Sequence, residues 1–399
     1  MTDLTIYPRR LSGAVPAIAS KSQAHRLLIC AAFADRPTEL LCPETNRDIQ
    51  ATVRCLQALG AEIRFENGRY HVSPARSIPP QAELPCGESG STLRFLLPVA
   101  GALGVEATFL AEGRLPQRPL SPLWEEMERM GCTLDRPTPR TIRCRGRLKS
   151  GLYTLDGGVS SQFLSGILFA LALLPEGGAL QITGTLQSAP YLAMTREALA
   201  RFGIPCPEDR ISPGSRLRSP GLAAVEGDWS SAAFFLTAGA MGSDVTVTGL
   251  SPRSAQGDRA IADLLPRMTR PITIDAADIP DLVPILAVAA GAGGGCVFEN
   301  IRRLRLKESD RAATVCAMLR ALGGQARAEE NAITVLPGGF RGGTVDTAGD
   351  HRIAMAAAIA ATVCREPVTI LGAQCVEKSY PRFWEDYRLL GGVYEQRLR

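Results

Sequence analysis

The sequence predicts a mixed α/β fold of six repeated units, three in each of two lobes. Three observations carry that reading: two families of helical segments recurring with one period, short strand-like runs between them, and a proline- and glycine-rich stretch near mid-chain. The first helical family ends at a glycine and runs into an apolar stretch: CLQALGAEI, MERMGCTL, LARFGIPC, MLRALGGQA and YRLLGGVY, with Gly60, Gly131, Gly203, Gly323 and Gly391. The intervals are 71, 72, 120 and 68 residues, and the long one leaves room for a degenerate copy at LLPRMTRPITI, around Met268.

The second family keeps step with the first. Each copy sets a short polar cluster before a helix of small and apolar residues: SKSQAHRLLICAAFA, ESGSTLRFLLPVAGAL, VSSQFLSGILFALALL, DWSSAAFFLTAGAM, IPDLVPILAVAAGA and DHRIAMAAAIAATV. With Ser22, Ser91, Ser161, Ser231, Asp281 and Arg352 as markers, the intervals are 69, 70, 70, 50 and 71. A helix apolar nearly all round is buried, whereas the glycine-ended helices keep a polar face, so each unit has one inner and one outer helix. Runs such as AITVLPG, DVTVTGL and PVTILGA add a small sheet. ISPGSRLRSPG, at 211–221, reads as one crossing between lobes, and LSGAVPAIAS, near 12–20, as the other. The expected lobes are 13–215, and 1–12 with 216–399, joined by a hinge.

Composition narrows the function. A chain of 399 residues, 45% hydrophobic and 21% charged, can bury a sizeable core. Its 44 Lys+Arg against 40 Asp+Glu leave a charge of +4, too little for a nucleic-acid binder that works by bulk charge. The apolar stretches at 163–174 and 282–293 are well short of the roughly 18 residues a membrane span needs. The first ten residues carry no apolar signal core, so a cytosolic protein is expected. Eleven scattered cysteines, never spaced CxxC, and three histidines fit neither a disulfide framework nor a metal centre. Cys86 beside Gly87 has no visible base, and GAGGG at 291–295 lacks the lysine of a nucleotide loop.

What remains is the chemistry of the helix starts. A helix N-terminus offers unpaired N–H groups and partial positive charge, a site for anions where Ser or Gly allows approach. The inner helices begin with Lys21 and Arg26, Arg94, Ser160 with Ser161 and Gln162, Asp281, and His351 with Arg352. If the three inner helices of each lobe point the same way, these groups line a cleft suited to a small, multiply anionic substrate. Taken singly, Ser20, Ser89 and Ser160 read more readily as ordinary N-caps, the commoner role of a serine before an apolar helix.

The segments SKSQAHR, ESGSTLR, LPQRP, VSSQFLSG, SAPY, EGDWSS, IPD, KESDR, DHR and EKSYP, in that order, resemble the 5-enolpyruvylshikimate-3-phosphate synthase family. The resemblance implies an inside-out α/β barrel fold of six βαβαββ repeats. It also implies transfer of the enolpyruvyl group of phosphoenolpyruvate to the 5-hydroxyl of shikimate 3-phosphate, without metal or organic cofactor, by a monomer with no nucleic-acid or membrane partner. By the same resemblance, shikimate 3-phosphate meets Lys21, Ser22, Arg26, Ser160, Ser161, Gln162, Ser188, Tyr191, Asp281 and Lys307. Phosphoenolpyruvate meets Lys21, Gly90, Arg118, Gln162, Arg311, Arg352 and Lys378. Asp281 is the implied base and Glu308 the implied proton donor at carbon, with Lys21, His351 and Lys378 serving the departing phosphate. Glu88 and Arg303 depart from the family pattern, which usually has Asn at both.

Two other functions compete. The enolpyruvyl transferases acting on UDP-N-acetylglucosamine share the fold, but open with Lys-Asn where this chain has Lys21-Ser22, and carry a cysteine in the loop that here reads EGRLPQRP. A non-enzymatic anion-binding repeat protein would account for the helix starts, but not for the acids Asp281 and Glu308 among so many cations.

Overall fold

The computed structural model describes residues 2–398, and its fold is mixed α/β. The chain divides into two compact units: one runs from Ala19 to Glu226, and the other takes the chain up to Ile18 and everything from Gly227. The chain therefore passes between units at 18–19 and at 226–227. The 211–221 stretch lies inside the first unit, where Leu217 is buried and its carbonyl accepts from the Asp35 N–H.

The first unit holds α1 (Lys21–Ala32), α2 (Arg47–Ala58), α3 (Gly90–Leu103), α4 (Leu123–Arg129), α5 (Ser161–Leu171) and α6 (Ala189–Arg201). The second holds α7 (Trp229–Ala240), α8 (Ile261–Leu264), α9 (Val283–Ala292), α10 (Arg311–Ala321), α11 (His351–Ala361) and α12 (Phe383–Leu389). Odd-numbered helices are the inner ones: every residue of α11 is buried, and α3 and α5 are buried nearly throughout. Even-numbered helices keep an exposed face, as α2 does opposite Ile49, Thr52, Cys55 and Leu56.

The inner helices touch through small residues. Pro98 in α3 lacks the N–H that would bond the Arg94 carbonyl four residues back, and Gly166 of α5 sits over that carbonyl, where a Cβ would collide with it.

The repeat is complete at 81–146. Strands Gln81–Gly87 and Glu106–Ala111 pair parallel, with α3 in between as the crossover; Thr141–Gly146 then pairs antiparallel with Glu106–Ala111 and with Cys132–Asp135. Ile272–Asp275, Cys296–Glu299, Ala332–Leu336 and Gln325–Ala328 repeat that order around α9. Leu222–Ala224 lies parallel to Thr38–Leu41, so the end of the first unit completes the sheet of its first repeat. Thr2–Tyr7 lies between Val368–Leu371 and Val393–Leu398, and Ser12–Pro16 beside Asp244–Thr248, so both N-terminal strands belong to the second unit.

The degenerate copy around Met268 is real: α8 has four residues and its repeat only a two-stranded sheet. The shortfall leaves an open apolar recess of about 550 Å³ lined by Trp229, Leu236, Leu250 and Leu265, with no charged side chain on its walls. Among the described residues no helix is long and apolar enough to cross a membrane.

Candidate active site

In the first unit the three inner helices start under serine caps. The hydroxyls of Ser20, Ser89 and Ser160 accept from the backbone N–H of Gln23, Thr92 and Gln162. A serine satisfies the helix end without adding negative charge, so each start keeps its attraction for anions. Hydrogen bonds lock the starts together. His25 Nδ1 shares a 2.7 Å hydrogen bond with Thr52 Oγ1, Thr52 a 2.7 Å bond with Thr92, and the Thr92 hydroxyl donates to Ser89 Oγ at 2.7 Å. Burial lowers His25 to a pKa of about 3, so its ring stays neutral.

Lys21 donates to Asp48 Oδ2 at 2.8 Å. Arg26 is 2% exposed and bonds Thr195 Oγ1, the Ser22 carbonyl, Ser165 Oγ and the Tyr191 carbonyl, tying α1 to α5 and α6. These partners are neutral oxygens, and burial pushes the guanidinium down to about 10. Gln162 donates to Ser91 Oγ at 2.9 Å and accepts from Arg94 Nη1 at 2.7 Å. Arg94 also donates to the Pro119 carbonyl, next to Arg118. A Cβ on Gly90 would come within 2.8 Å of Arg118 Nη1, so the missing side chain is what lets the guanidinium lie over the start of α3.

Ser160, Ser161 and Ser188 stand on adjoining strand ends. Gly151–Asp156 and Gly178–Thr183 pair parallel, and beyond them the Gln187 N–H bonds the Gly157 carbonyl at 3.1 Å. Ser188 is buried and left-handed, at φ 57, a conformation a serine seldom adopts.

The second unit gathers the charged residues. Asp281 Oδ1 accepts from Arg311 Nη1 at 2.7 Å and Lys307 Nζ at 3.3 Å, and Oδ2 from Arg352 Nη2 at 3.1 Å. Burial works to raise its pKa, but Arg352, Lys307 and Arg311 outweigh it and hold the carboxyl well below the ordinary value. Glu308 Oε2 accepts from Arg311 Nη2 at 2.7 Å. Behind them Asp350, fully buried, caps α11, receives Arg311 Nε at 3.0 Å and takes the Ser309 hydroxyl at 3.0 Å. Lys307 is lowered to about 8, first by burial, against the pull of Asp281. His351 is buried with Nδ1 3.9 Å from Asp350 Oδ1, and Lys378 is buried at the end of the turn Ala373–Lys378.

The candidate residues divide between the units: hydrogen bonds tie Arg26 to Ser22 and Tyr191 in the first, and gather Asp281, Lys307, Glu308, Arg311 and Arg352 into one cluster in the second, the unit that also carries His351 and Lys378. Sequence reasoning missed Asp48, which holds Lys21, and passed over Arg94 as a site residue, though it couples Gln162 to the Arg118 loop. Asp48 has no local signal beyond being an acid in the first turn of an outer helix. Among the described residues no three His, Cys, Asp or Glu side chains gather as a metal site.

The family profile described as EPSP synthase (3-phosphoshikimate 1-carboxyvinyltransferase) matches residues 6–276 and 266–387. The 3-phosphoshikimate 1-carboxyvinyltransferase of Clostridium kluyveri is 37% identical over 425 residues, covering 99% of each chain. That of Clostridium acetobutylicum is 35% identical over 426 residues, covering 100% of each. In fold, an EPSP synthase from Acinetobacter baumannii aligns with TM-score 0.81 at 23% identity over 100% of both chains. The enolpyruvyl transferase NikO from Streptomyces tendae aligns with TM-score 0.74 at 19% identity over 99% of both. The fold is that of the enolpyruvyl transferases. Within that class the chain belongs to the EPSP synthase family, the 3-phosphoshikimate 1-carboxyvinyltransferases.

Proposed function

We propose that the protein transfers the enolpyruvyl group of phosphoenolpyruvate to the 5-hydroxyl of shikimate 3-phosphate and releases phosphate, acting as a cytosolic monomer. The observation that carries this reading is the pair of acids, Asp281 and Glu308, inside one net of the cations Lys307, Arg311 and Arg352. A mere anion trap would have no use for the acids.

Shikimate 3-phosphate sets its phosphate on Ser160, Ser161 and Ser188, and its ring and carboxylate near Ser22, Arg26, Gln162 and Tyr191, with Asp281 and Lys307 at the reacting edge. The buried Arg26, bonded only to neutral oxygens, gains a counter-charge from that carboxylate. Phosphoenolpyruvate is held by Lys21, Gly90, Arg118, Gln162, Arg311, Arg352 and Lys378.

The 5-hydroxyl oxygen bonds to C2 of phosphoenolpyruvate and its proton passes to Asp281, while the C2–C3 π electrons take a proton from Glu308 at C3. The tetrahedral intermediate then loses phosphate by cleavage of its C2–O bond, the departing oxygen keeping the bonding pair and taking up the proton that Asp281 had accepted. A methyl proton returns to Glu308 and the methylene is restored, with Lys21, Lys378 and His351 easing departure of the anion. Substrate itself switches Asp281 on. Held by three cations the carboxylate is a weak base, and a second carboxylate and a phosphate drawing on Arg311 and Arg352 raise its proton affinity.

Phosphate release, assayed with phosphoenolpyruvate and each acceptor in turn, tests the reading. Release with shikimate 3-phosphate is expected; release with UDP-N-acetylglucosamine alone would assign the chain to the other transfer.

A further inference from the structure

Two rungs join α1 to α2. Lys21 and His25 stand four residues apart on α1, and Asp48 and Thr52 four apart on α2, so each pair shares one face of its helix. The first rung is the ion pair of Lys21 Nζ with Asp48 Oδ2 at 2.8 Å, with a little of each side chain still exposed. The second, one turn along, is the 2.7 Å hydrogen bond of His25 Nδ1 with Thr52 Oγ1, and both of these residues are fully buried. From there Thr52 meets Thr92 at 2.7 Å, and Thr92 meets Ser89, the cap of α3, at 2.7 Å.

The hydroxyls fix which way this relay runs, because each has one hydrogen to give. Thr92 gives its hydrogen to Ser89 Oγ, and the Asp48 carbonyl, 3.5 Å from the same hydroxyl, is an acceptor too. Toward Thr52, then, Thr92 can only accept. Thr52 spends its own hydrogen on Thr92 and must accept from His25, which places the ring's proton on Nδ1. Nε2 is buried with no hydrogen-bond partner, so a second N–H there would go unpaired. His25 is therefore the neutral Nδ1–H tautomer, and it is the donor that starts a relay ending on the cap of α3.

We propose that His25 is a positioning residue for phosphoenolpyruvate binding: by donating from Nδ1 to Thr52 it fixes the register of α1 against α2, and so the place of the Lys21 ammonium, and ties both helices to the start of α3. The inference rests on the reading of Lys21 and Gly90 as phosphoenolpyruvate contacts. The phosphate of shikimate 3-phosphate is assigned to Ser160, Ser161 and Ser188, which the relay does not touch, so its affinity depends on His25 far less.

Nitrogen-15 NMR of the histidine rings reads the tautomer without any substrate. The protein has only three histidines, so the signals missing from His25→Gln belong to His25. A protonated Nδ1 beside a bare Nε2 is expected at neutral pH, and the reverse pattern overturns the proposal. Kinetics reads the role. Asparagine can set its amide N–H where Nδ1 stands, whereas the longer glutamine reaches toward Nε2 and leaves Thr52 without its donor. His25→Gln should raise KM for phosphoenolpyruvate roughly tenfold, the scale of one buried hydrogen bond left unmade. His25→Asn should hold KM within about twofold of the wild-type value, and calorimetry should show the affinity for shikimate 3-phosphate moved far less than KM in either variant. A purely structural role would lower stability and leave KM alone, so an unmoved KM in His25→Gln, or the same rise in both variants, overturns the proposal. Should His25→Gln fail to fold, Thr52→Val removes the middle hydroxyl of the relay and Thr52→Ser keeps it. KM should rise with valine and hold with serine; equal values are equally fatal. Normal turnover with an unmoved KM would remove the role of His25 alone, whereas no turnover by the wild-type protein would remove the proposed function and this inference with it.

Discussion

Asp281 and Glu308 share the cation Arg311, whose guanidinium is itself fixed from behind by Asp350. If the two acids move protons, Asp281→Ala and Glu308→Ala should each lower kcat by about 10²–10⁴ while weakening substrate binding far less. Arg118→Ala, removing a fork that lies over Gly90, should mainly raise KM for phosphoenolpyruvate. Steady-state kinetics separates these outcomes, and near-normal turnover in either acid variant would refute the proton-transfer assignment. His25 makes a prediction about stability. The folded protein resists protonating a ring whose pKa is lowered to about 3, while the unfolded chain takes a proton near 6.5. Stability should therefore fall as pH drops below 6.5, at a limiting slope of about 1.4 kcal/mol per unit from this residue. Urea unfolding of the wild-type protein and His25→Gln between neutral pH and about pH 5 checks it; equal slopes would contradict the account. Glu308 and Arg311 came only from the family resemblance, whereas Asp281 and Arg352 were legible in the sequence because they stand in short polar clusters at the starts of apolar helices. Asp48 was not, because only tertiary structure brings the start of α2 against Lys21.

At the scale of elements, the two units treat their inner helices differently. Serine caps α1, α3 and α5, whereas aspartate caps α7 and α11. The first unit therefore offers bare helix starts to anions, and the second relies on side-chain cations. Ser89→Ala and Ser160→Ala should each cost about 1 kcal/mol in stability, but only Ser160→Ala should also weaken shikimate 3-phosphate binding. Calorimetric titration and urea unfolding together would show the split, and equal affinities would argue that Ser160 is a cap and nothing more. Where α3 and α5 meet, Gly166→Ala should cost about 1–3 kcal/mol, because the added methyl meets the Arg94 backbone carbonyl instead of a side chain that could move aside. Helix periodicity announced that α3 and α5 are inner helices, and the glycine-ended pattern gave their outer partners. It could not announce that Pro98 frees a carbonyl for Gly166 to cover, which depends on the register between two helices.

At the scale of the whole molecule, the repeat period, the alternation of inner and outer helices and the degenerate fourth copy were all readable in 399 letters, since each repeat must bury its own apolar helix. The exchange of strands was readable only in part: residues 1–12 were expected in the second lobe, where Thr2–Tyr7 lies, but Leu222–Ala224 completing the first sheet and Ser12–Pro16 joining the second unit are pairings between segments far apart in sequence. A ligand that binds only the folded protein stabilises it, by about 2.7 kcal/mol at a hundredfold excess over its dissociation constant. Shikimate 3-phosphate should accordingly raise the melting temperature and UDP-N-acetylglucosamine should not. The central claim of the account is the fate of the enolpyruvyl carbons. Carbon-13 NMR with phosphoenolpyruvate labelled at C2 follows them directly. In the presence of shikimate 3-phosphate the label should pass into an enol ether on the 5-oxygen, with one phosphate released for each. Label that stays in phosphoenolpyruvate, appears as free pyruvate, or moves only when UDP-N-acetylglucosamine is supplied would contradict the account.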